Sequence, residues 1–488
     1  MRYKFLIGIF IVLVSTILLS SNALASTLPG PWVNQTTLSN IDYNTSQDPE
    51  NSGFGTIQVV VWEEYNGNDW DIWMKYSLLD GLLGSWIFPA TQPATLPYVD
   101  EINPAVTITN SDPFGNTWIH VVYQRQAQGG LQWDVCHTYT LNFGGAWSAP
   151  TVLDINQQQD ATDPAIVYTE DTTNPSNQLG MLAQIVWSEN NPVTGAYEIK
   201  YNAFYLDISW FPWIIGYVGP FTIRAGGAGG ISTNCLYPEI ASIDENINRA
   251  TCQFDFSVVW QEQSPFTGFW NIWYDDGTTQ TTGLGGITTW LTGGSTGQLN
   301  VNLAPGDCLH PDIAATQDYI IVGGGLNEQY YYHVIWVFND IFQVPPIWQI
   351  DNSFAAPNLP NPGAAGFAPN PIAQVSTQLL DNPTIATKLT AIIPAVFQIW
   401  MAWEDSTVIQ PTNPDIWYNV GSFSIMTGFI YFGIGPIRVG YGPGAGWSIE
   451  NNPELWNRND PARAFPPLTH LVFDQTIAPT TEVEYIDP

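Results

Sequence analysis

Short apolar runs rich in Val, Ile and Trp alternate along the chain with stretches of Gly, Pro, Asn and Asp. That is the pattern of β-strands bounded by turns. One run recurs as Val60-Val61-Trp62, Val121-Val122-Tyr123, Ile185-Val186-Trp187, Val258-Val259-Trp260, Val334-Ile335-Trp336, Met401-Ala402-Trp403 and Leu471-Val472-Phe473. After a polar loop, most copies continue with an acidic or amide residue and an apolar-aromatic pair, as in Asp71-Ile72-Trp73, Asn271-Ile272-Trp273 and Asp415-Ile416-Trp417. Ahead of each run stands a proline, at 49, 104, 164, 238, 311, 383 and 461. Trp86, Trp147, Trp210, Trp290 and Trp447 open a further strand in most copies.

Four short strands per unit, repeated along the chain, predict an all-β fold: a seven-bladed β-propeller of four-stranded antiparallel blades. A parallel β-helix has shorter repeats, and a leucine-rich horseshoe would show its Leu ladder. The last copy runs out after its third strand, near Ile486, and the segment from Trp32 to Ser39 resembles a fourth strand. The ring is therefore expected to be closed by the N-terminal strand, which removes two exposed edges. The expected domains are a signal peptide over 1–25 and the propeller over 26–488, with repeats starting near 49, 104, 164, 238, 311, 383 and 461.

Composition narrows the function. Eleven basic against 44 acidic residues give 11 − 44 = −33, which argues against nucleic acid as a partner. Aromatic residues at 14% rule against acidic disorder. Arg2 and Lys4, an apolar run from Phe5 to Leu19, and Ala23-Leu24-Ala25 read as an export signal. No later segment is apolar for long enough to span a membrane. The expected address is secreted, extracellular or cell-surface, and periplasmic in a host with two membranes. Cys136, Cys235, Cys252 and Cys308 allow two disulfides in three pairings, and the residues do not choose between paired and buried free thiols.

The stretch Val61-Trp62-Glu63-Glu64-Tyr65-Asn66-Gly67-Asn68-Asp69-Trp70-Asp71-Ile72-Trp73 resembles the repeat of exported TolB-like and sialidase-like propellers. Tyr76-Ser77-Leu78-Leu79-Asp80-Gly81 followed by Trp86 is similar to a degraded Asp-box of sialidase-like (BNR-type) blades. This resemblance implies the propeller fold and a cell-surface setting rather than one activity.

Candidate chemistry is faint in the sequence. HExxH, Walker A, GxSxG and EF-hand patterns are all missing, and the few arginines do not suggest the carboxylate clamp of a sialidase. Carboxylates recur just after the second strand: Glu63, Glu64, Glu189, Glu262, Glu404 and Asp474. With Asp48, Asp163, Asp312 and Asp460 at the entry into the first strands, they would form a ring suited to calcium, which takes hard oxygen ligands, with Glu189, Glu262 and Glu404 as the candidate ligands. The competing reading is that each accepts loop amides and ties blades together. Trp210, Phe211, Trp213 and Ile214 after the third copy, and Phe429, Tyr431 and Phe432 after the sixth, are apolar beyond what one strand needs. They are candidate contact surfaces for a protein or glycan partner. The resulting expectation is a non-catalytic binding or assembly module. The alternative is a glycan-active enzyme, a hydrolase or lyase, with its site at the propeller mouth.

Overall fold

The computed structural model describes residues 34–487 apart from 40–44, 55, 80–84, 88–90, 110–115, 127–131, 144–145, 155–158, 170–178, 208–213, 226–232, 243–252, 283–285, 293–296, 301–305, 323–324, 356–367, 370–373, 377–378, 393–394, 407–413, 425–428, 433–435, 439–448, 458–468 and 478–479. The expected export signal and Trp210, Phe211 and Trp213 lie outside the described residues. So does Cys252.

The strands fall into seven antiparallel sheets. The first four blades begin with inner strands Thr45–Phe54, Glu101–Ile108, Ala161–Thr169 and Cys235–Ser242. Asp307–Val322, Leu380–Ile392 and Ile449–Asn457 are the inner strands of the rest. Successive inner strands touch one another, and Ile449–Asn457 touches Thr45–Phe54, so the ring closes about a central axis. Asn34–Thr37 is the outer strand of the final sheet, paired with Thr480–Asp487 in the register Asn34↔Asp487 to Thr37↔Glu484.

The expectation of uniform four-stranded blades needs correction. The fourth, fifth and sixth blades carry a fifth strand, Gly297–Gln298, Gln374–Ser376 and Ile437–Arg438, each paired with the third strand of its sheet. In those blades the outer chain pairs in two short pieces on the same neighbour, which periodicity alone does not separate. The final sheet also starts earlier than expected. Its inner strand contains Pro453, whereas Pro461 lies outside the described residues. Trp86 and Trp147 sit in isolated bridges ahead of the fourth strands Thr91–Ala94 and Thr151–Val152. The segments expected as apolar insertions are themselves outer strands, Ile214–Arg224 and Phe429–Phe432.

The second strands are apolar on both faces because each sheet is packed between two neighbours. Val59, Val61, Ile72 and Met74 of the first blade meet Val106, Ile119, Val121 and Tyr123 of the second. Val186, Ile199 and Tyr201 meet Val258 and Trp260, and Ile335 and Val337 meet Ile399, Met401 and Trp403. The core is thus a ring of inter-blade layers. Trp62, Trp187, Trp260 and Trp403 are among its largest fully buried side chains.

The recurrent proline has a structural meaning. Every inner strand shifts register near its start, at Gln47/Glu50, Ile102/Ala105, Thr162/Ala165, Leu236/Glu239, Leu309/Asp312, Asp381/Thr384 and Asn451/Glu454. Each shift encloses an X-Pro pair. Proline has no N–H to give the ladder, so a bulge is where a strand accommodates it. The preceding residue is left-handed at Asp48, Asn103, Asp163, Tyr237, His310 and Asn382, with φ from 40 to 53°.

A candidate acidic site on the propeller axis

The bulges place chemistry on the axis. The residue after the proline is Glu50, Ala105, Ala165, Glu239, Asp312, Thr384 or Glu454 in the seven sheets. Four of these carry carboxyl groups, and they come from four different blades. Glu50 feels the charges of Glu454, Glu239, Asp312 and Asp48, and Glu239 feels Asp312, Glu454 and Asp163. Residues as far apart in sequence as Glu50 and Glu454 therefore converge. They lie deep in the molecule yet keep partial access to solvent, as groups lining an axial channel do.

Burial, and after it mutual repulsion, pushes Glu50, Glu239 and Glu454 well above the usual carboxylate range. Asp312 is pushed up only to about 6, by burial, because hydrogen bonds to its charged form work against that. Its Oδ1 accepts the amide of Ile313 at 2.6 Å and its Oδ2 the amide of Ile385, in the next blade, at 2.7 Å. The neighbouring Thr384 Oγ1 donates to Glu454 Oε2 at 3.3 Å and accepts the amide of Leu455. Burial thus pushes the three glutamic acids toward their neutral forms, while backbone amides hold the charged form of Asp312.

Above the axis, toward the start of the inner strands, the residues before the prolines form a second tier. Asn103 Nδ2 reaches Asp163 Oδ1 at 3.3 Å, and the Asp163 and His310 amides donate to Gln124 and Gln261 of the preceding blades. His310 Nδ1 lies 2.5 Å from Asp381 Oδ1, and the Tyr237 ring meets the imidazole edge-on at 4.8 Å. Glu63 closes the tier: it accepts the Asn103 amide, and burial with the neighbouring Asp48 pushes it up to about 9.

Of the carboxylates favoured from the sequence as ligands, Glu189 and Glu262 lie elsewhere, whereas Glu404 reaches the second tier. Glu189 and Glu262 accept the indole N–H of Trp187 at 3.0 Å and of Trp260 at 3.3 Å, as Glu64 does from Trp62. Glu404 is at a different register: it pairs with Ile416, as Glu63 pairs with Ile72, whereas Glu189 and Glu262 pair with Glu198 and Asn271. A one-residue offset in a strand reverses the face, so Glu404 points the other way and accepts Asn382 Nδ2 at 2.7 Å. Among the described residues no three His, Cys, Asp or Glu side chains form a group that could hold a metal ion. Cys136, Cys235 and Cys308 are buried free thiols. The side chains of Ile214, Phe429, Tyr431 and Phe432 lie outside the described set.

Arg224 forks onto Glu262, with Nε and Nη2 each at 2.8 Å, and covers the Trp273 ring at 4.8 Å. Arg224→Ala leaves that buried carboxylate without its charge partner, so a loss of roughly 3–5 kcal/mol is expected. Arg224→Lys should recover only part of it, because an ammonium cannot make the fork. Urea unfolding of the three proteins checks this; equal midpoints would contradict it.

The axial site is invisible as a sequence motif. Its one signal is the residue after each repeat proline, acidic in Pro49-Glu50, Pro238-Glu239, Pro311-Asp312 and Pro453-Glu454.

No protein-family model matches the chain, and no curated protein does. Solved structures similar to it include a GH93 α-L-arabinofuranosidase of Fusarium graminearum with arabinobiose. That pair shares 8% identity over 93% of this chain and 96% of the other, with a TM-score of 0.40. An α-L-arabinanase of Penicillium chrysogenum complexed with arabinobiose matches at 11% over 82% and 99%, TM-score 0.34. The hemagglutinin-neuraminidase ectodomain of parainfluenza virus 5 matches at 8% over 94% and 84%, TM-score 0.40. With no matching family model, the narrower TolB-like or BNR-type kinship is not carried further.

Proposed function

We propose that the chain is a glycan-active hydrolase whose site is the acidic channel on the propeller axis. One observation carries the reading: four carboxyl groups from four blades feel one another's charge there, and only Asp312 has its charged form held by two backbone amides. Glycoside hydrolysis asks for two roles, an acid that protonates the leaving oxygen and an ionised carboxylate facing the positive charge that develops on the sugar. Glu50, Glu239 and Glu454 are the candidate acids, and Asp312 is the candidate ionised member.

This reading replaces the non-catalytic binding or assembly module expected from the sequence. That expectation rested on finding no catalytic pair; the solved structures similar to the chain are mostly glycan-cleaving enzymes, and Glu50, Glu239, Asp312 and Glu454 supply candidate carboxyl groups. The hydrolase reading itself rests on this chain's own carboxylates. An export signal over 1–25 would suit work on an external polysaccharide.

The test is reducing-sugar release from a panel of arabino-, xylo-, cello-, manno- and chito-oligosaccharides. Cleavage of at least one is expected. Glu239→Gln, Glu454→Gln or Asp312→Asn should then lower kcat by about 10²–10⁴-fold, the range for removing a proton-transfer or charge-stabilising group. A wild-type protein that cleaves nothing, or axial variants with full activity, would overturn the proposal.

A further inference from the structure

Six described positions precede a bulge proline with φ near 50°, and four of them are Asp or Asn, the residues that tolerate this conformation best. Tyr237 and His310, in adjacent blades, break that rule. His tolerates this conformation too, but a bulky Tyr held there is costly and persists where the surrounding structure imposes it, often at a functional site. The two departures also touch one another, edge to face at 4.8 Å. His310 has its backbone amide tied to Gln261 and its Nδ1 tied to Asp381 at 2.5 Å. Hydrogen bonding at Nδ1 leaves Nε2 as the working nitrogen, and among the described residues it has no hydrogen-bond partner. Tyr237 is 41% exposed, and the His310 and Asp381 side chains are 27% and 34% exposed. All three therefore stand at the open end of the channel. His310 is two positions from Asp312 on one strand, and Tyr237 two from Glu239 on the next.

The axial cluster lacks one function that hydrolysis needs. Both Asp312 oxygens are already taken by backbone amides, so Asp312 offers charge but is a poor proton acceptor. Burial pushes the remaining axial carboxyl groups toward their protonated forms. The His310 imidazole, on the same strand as Asp312, offers Nε2 as an acceptor.

Resting on the hydrolase reading above, we propose that His310, oriented by Asp381 and flanked by Tyr237, is the catalytic base at the channel mouth. Water attacks the anomeric carbon, the bond from that carbon to the leaving oxygen breaks, and the leaving oxygen takes the proton of an axial carboxyl group. The proton lost by the water goes to His310 Nε2. The imidazolium and the axial carboxylate then exchange protons with solvent, which restores both. The charged and titratable groups facing His310 are Asp381, Asp163 and Tyr237.

The experiment uses the full chain and the oligosaccharide it cleaves best. His310→Ala should lower kcat by about 10²–10⁴-fold with KM within a few-fold of wild type, and added imidazole should restore a measurable part. Asp381→Asn should lower kcat less, and it should change the rate at which diethyl pyrocarbonate modifies His310 in the resting protein. A structural role would not give imidazole rescue. Full activity of His310→Ala while Glu239→Gln is inactive would overturn this assignment and leave the hydrolase reading standing. So would a loss that imidazole does not restore in a variant with unchanged melting temperature. If the wild type cleaves nothing, both readings fall.

Discussion

A protein lacking residues 26–40 is expected to lose its cooperative thermal transition. Asn34–Thr37 supplies the outer strand of the final sheet, so its removal exposes the full edge of Thr480–Asp487. Leu38, fully buried, goes with it; it packs against Val60, Trp62, Trp86 and Val472, joining the final sheet to the first blade. The Leu38 carbonyl is also the acceptor for the ammonium of Lys75, a residue only 1% exposed that burial already pulls down to about 8. Deleting a buried Leu costs about 2–5 kcal/mol, and losing a hydrogen bond from a charged donor about 1.5–3 kcal/mol more. Against a total stability of roughly 5–15 kcal/mol, the lost strand pairing adds enough to empty the native state. Calorimetry of the truncated chain and of Leu38→Ala separates the contributions. A truncated chain that melts at the wild-type temperature would show that the ring does not need this strand.

Stability is expected to peak on the acid side of neutrality and to fall in both directions. On the acid side the cause is histidine. Burial pulls His120 well below its ordinary value, with the neighbouring His137 adding to it, and pulls His137 and His333 down to about 3. His120 Nδ1 contacts His137 Nε2 at 3.1 Å, and His137 Nδ1 contacts the Tyr217 hydroxyl at 2.8 Å, inside an aromatic layer with Trp118, Tyr139 and Phe204. Below about pH 6.5 the unfolded chain takes up protons at these rings and the folded chain does not. Stability is therefore lost as pH falls from about 6.5 toward 3.

On the alkaline side the cause is buried carboxyl groups. Glu101 is fully buried, and burial, then Asp71, pushes it up to about 8 against the pull of Arg125 and the Leu96 backbone. Asp154 and Asp351 rise to about 7, both chiefly by burial. Here the folded state holds protons that the unfolded state releases, so stability present near pH 4.5 is lost as pH rises through these values. At 1.36 kcal/mol per unit, one group such as Glu101 removes roughly 4 kcal/mol by pH 8. Glu101→Gln should flatten the alkaline limb, raising the melting temperature at pH 8 and changing little at pH 5. A wild-type melting temperature that rises steadily to pH 9 would contradict the account.

The fold was legible because repetition multiplies a weak signal. One Val-Val-Trp run says little, but its recurrence with a proline ahead and an Asp-Ile-Trp behind marks a repeated sheet, and the short final copy points to Asn34–Thr37 as its completing strand. The short fifth strands of three blades were not legible, since two or three residues pair there with no periodicity of their own. Misaligning Glu404 with Glu189 and Glu262 had the same origin: counting from an apolar run tolerates an offset of one, whereas a strand reverses its face at that offset.

The site depended on tertiary structure. Composition already showed a surplus of acid, but surplus does not say which carboxyl groups meet. Glu50 and Glu454 become neighbours only because the ring closes, and each inner strand turns its post-proline residue to the axis only because the bulge breaks its register. Local sequence determines strands, turns and the repeat, since those follow from side-chain alternation and the missing N–H of proline. Ring closure decides which buried charges share one dielectric environment. That sharing raises Glu50, Glu239 and Glu454 together, because repulsion and desolvation act through space and not along the chain.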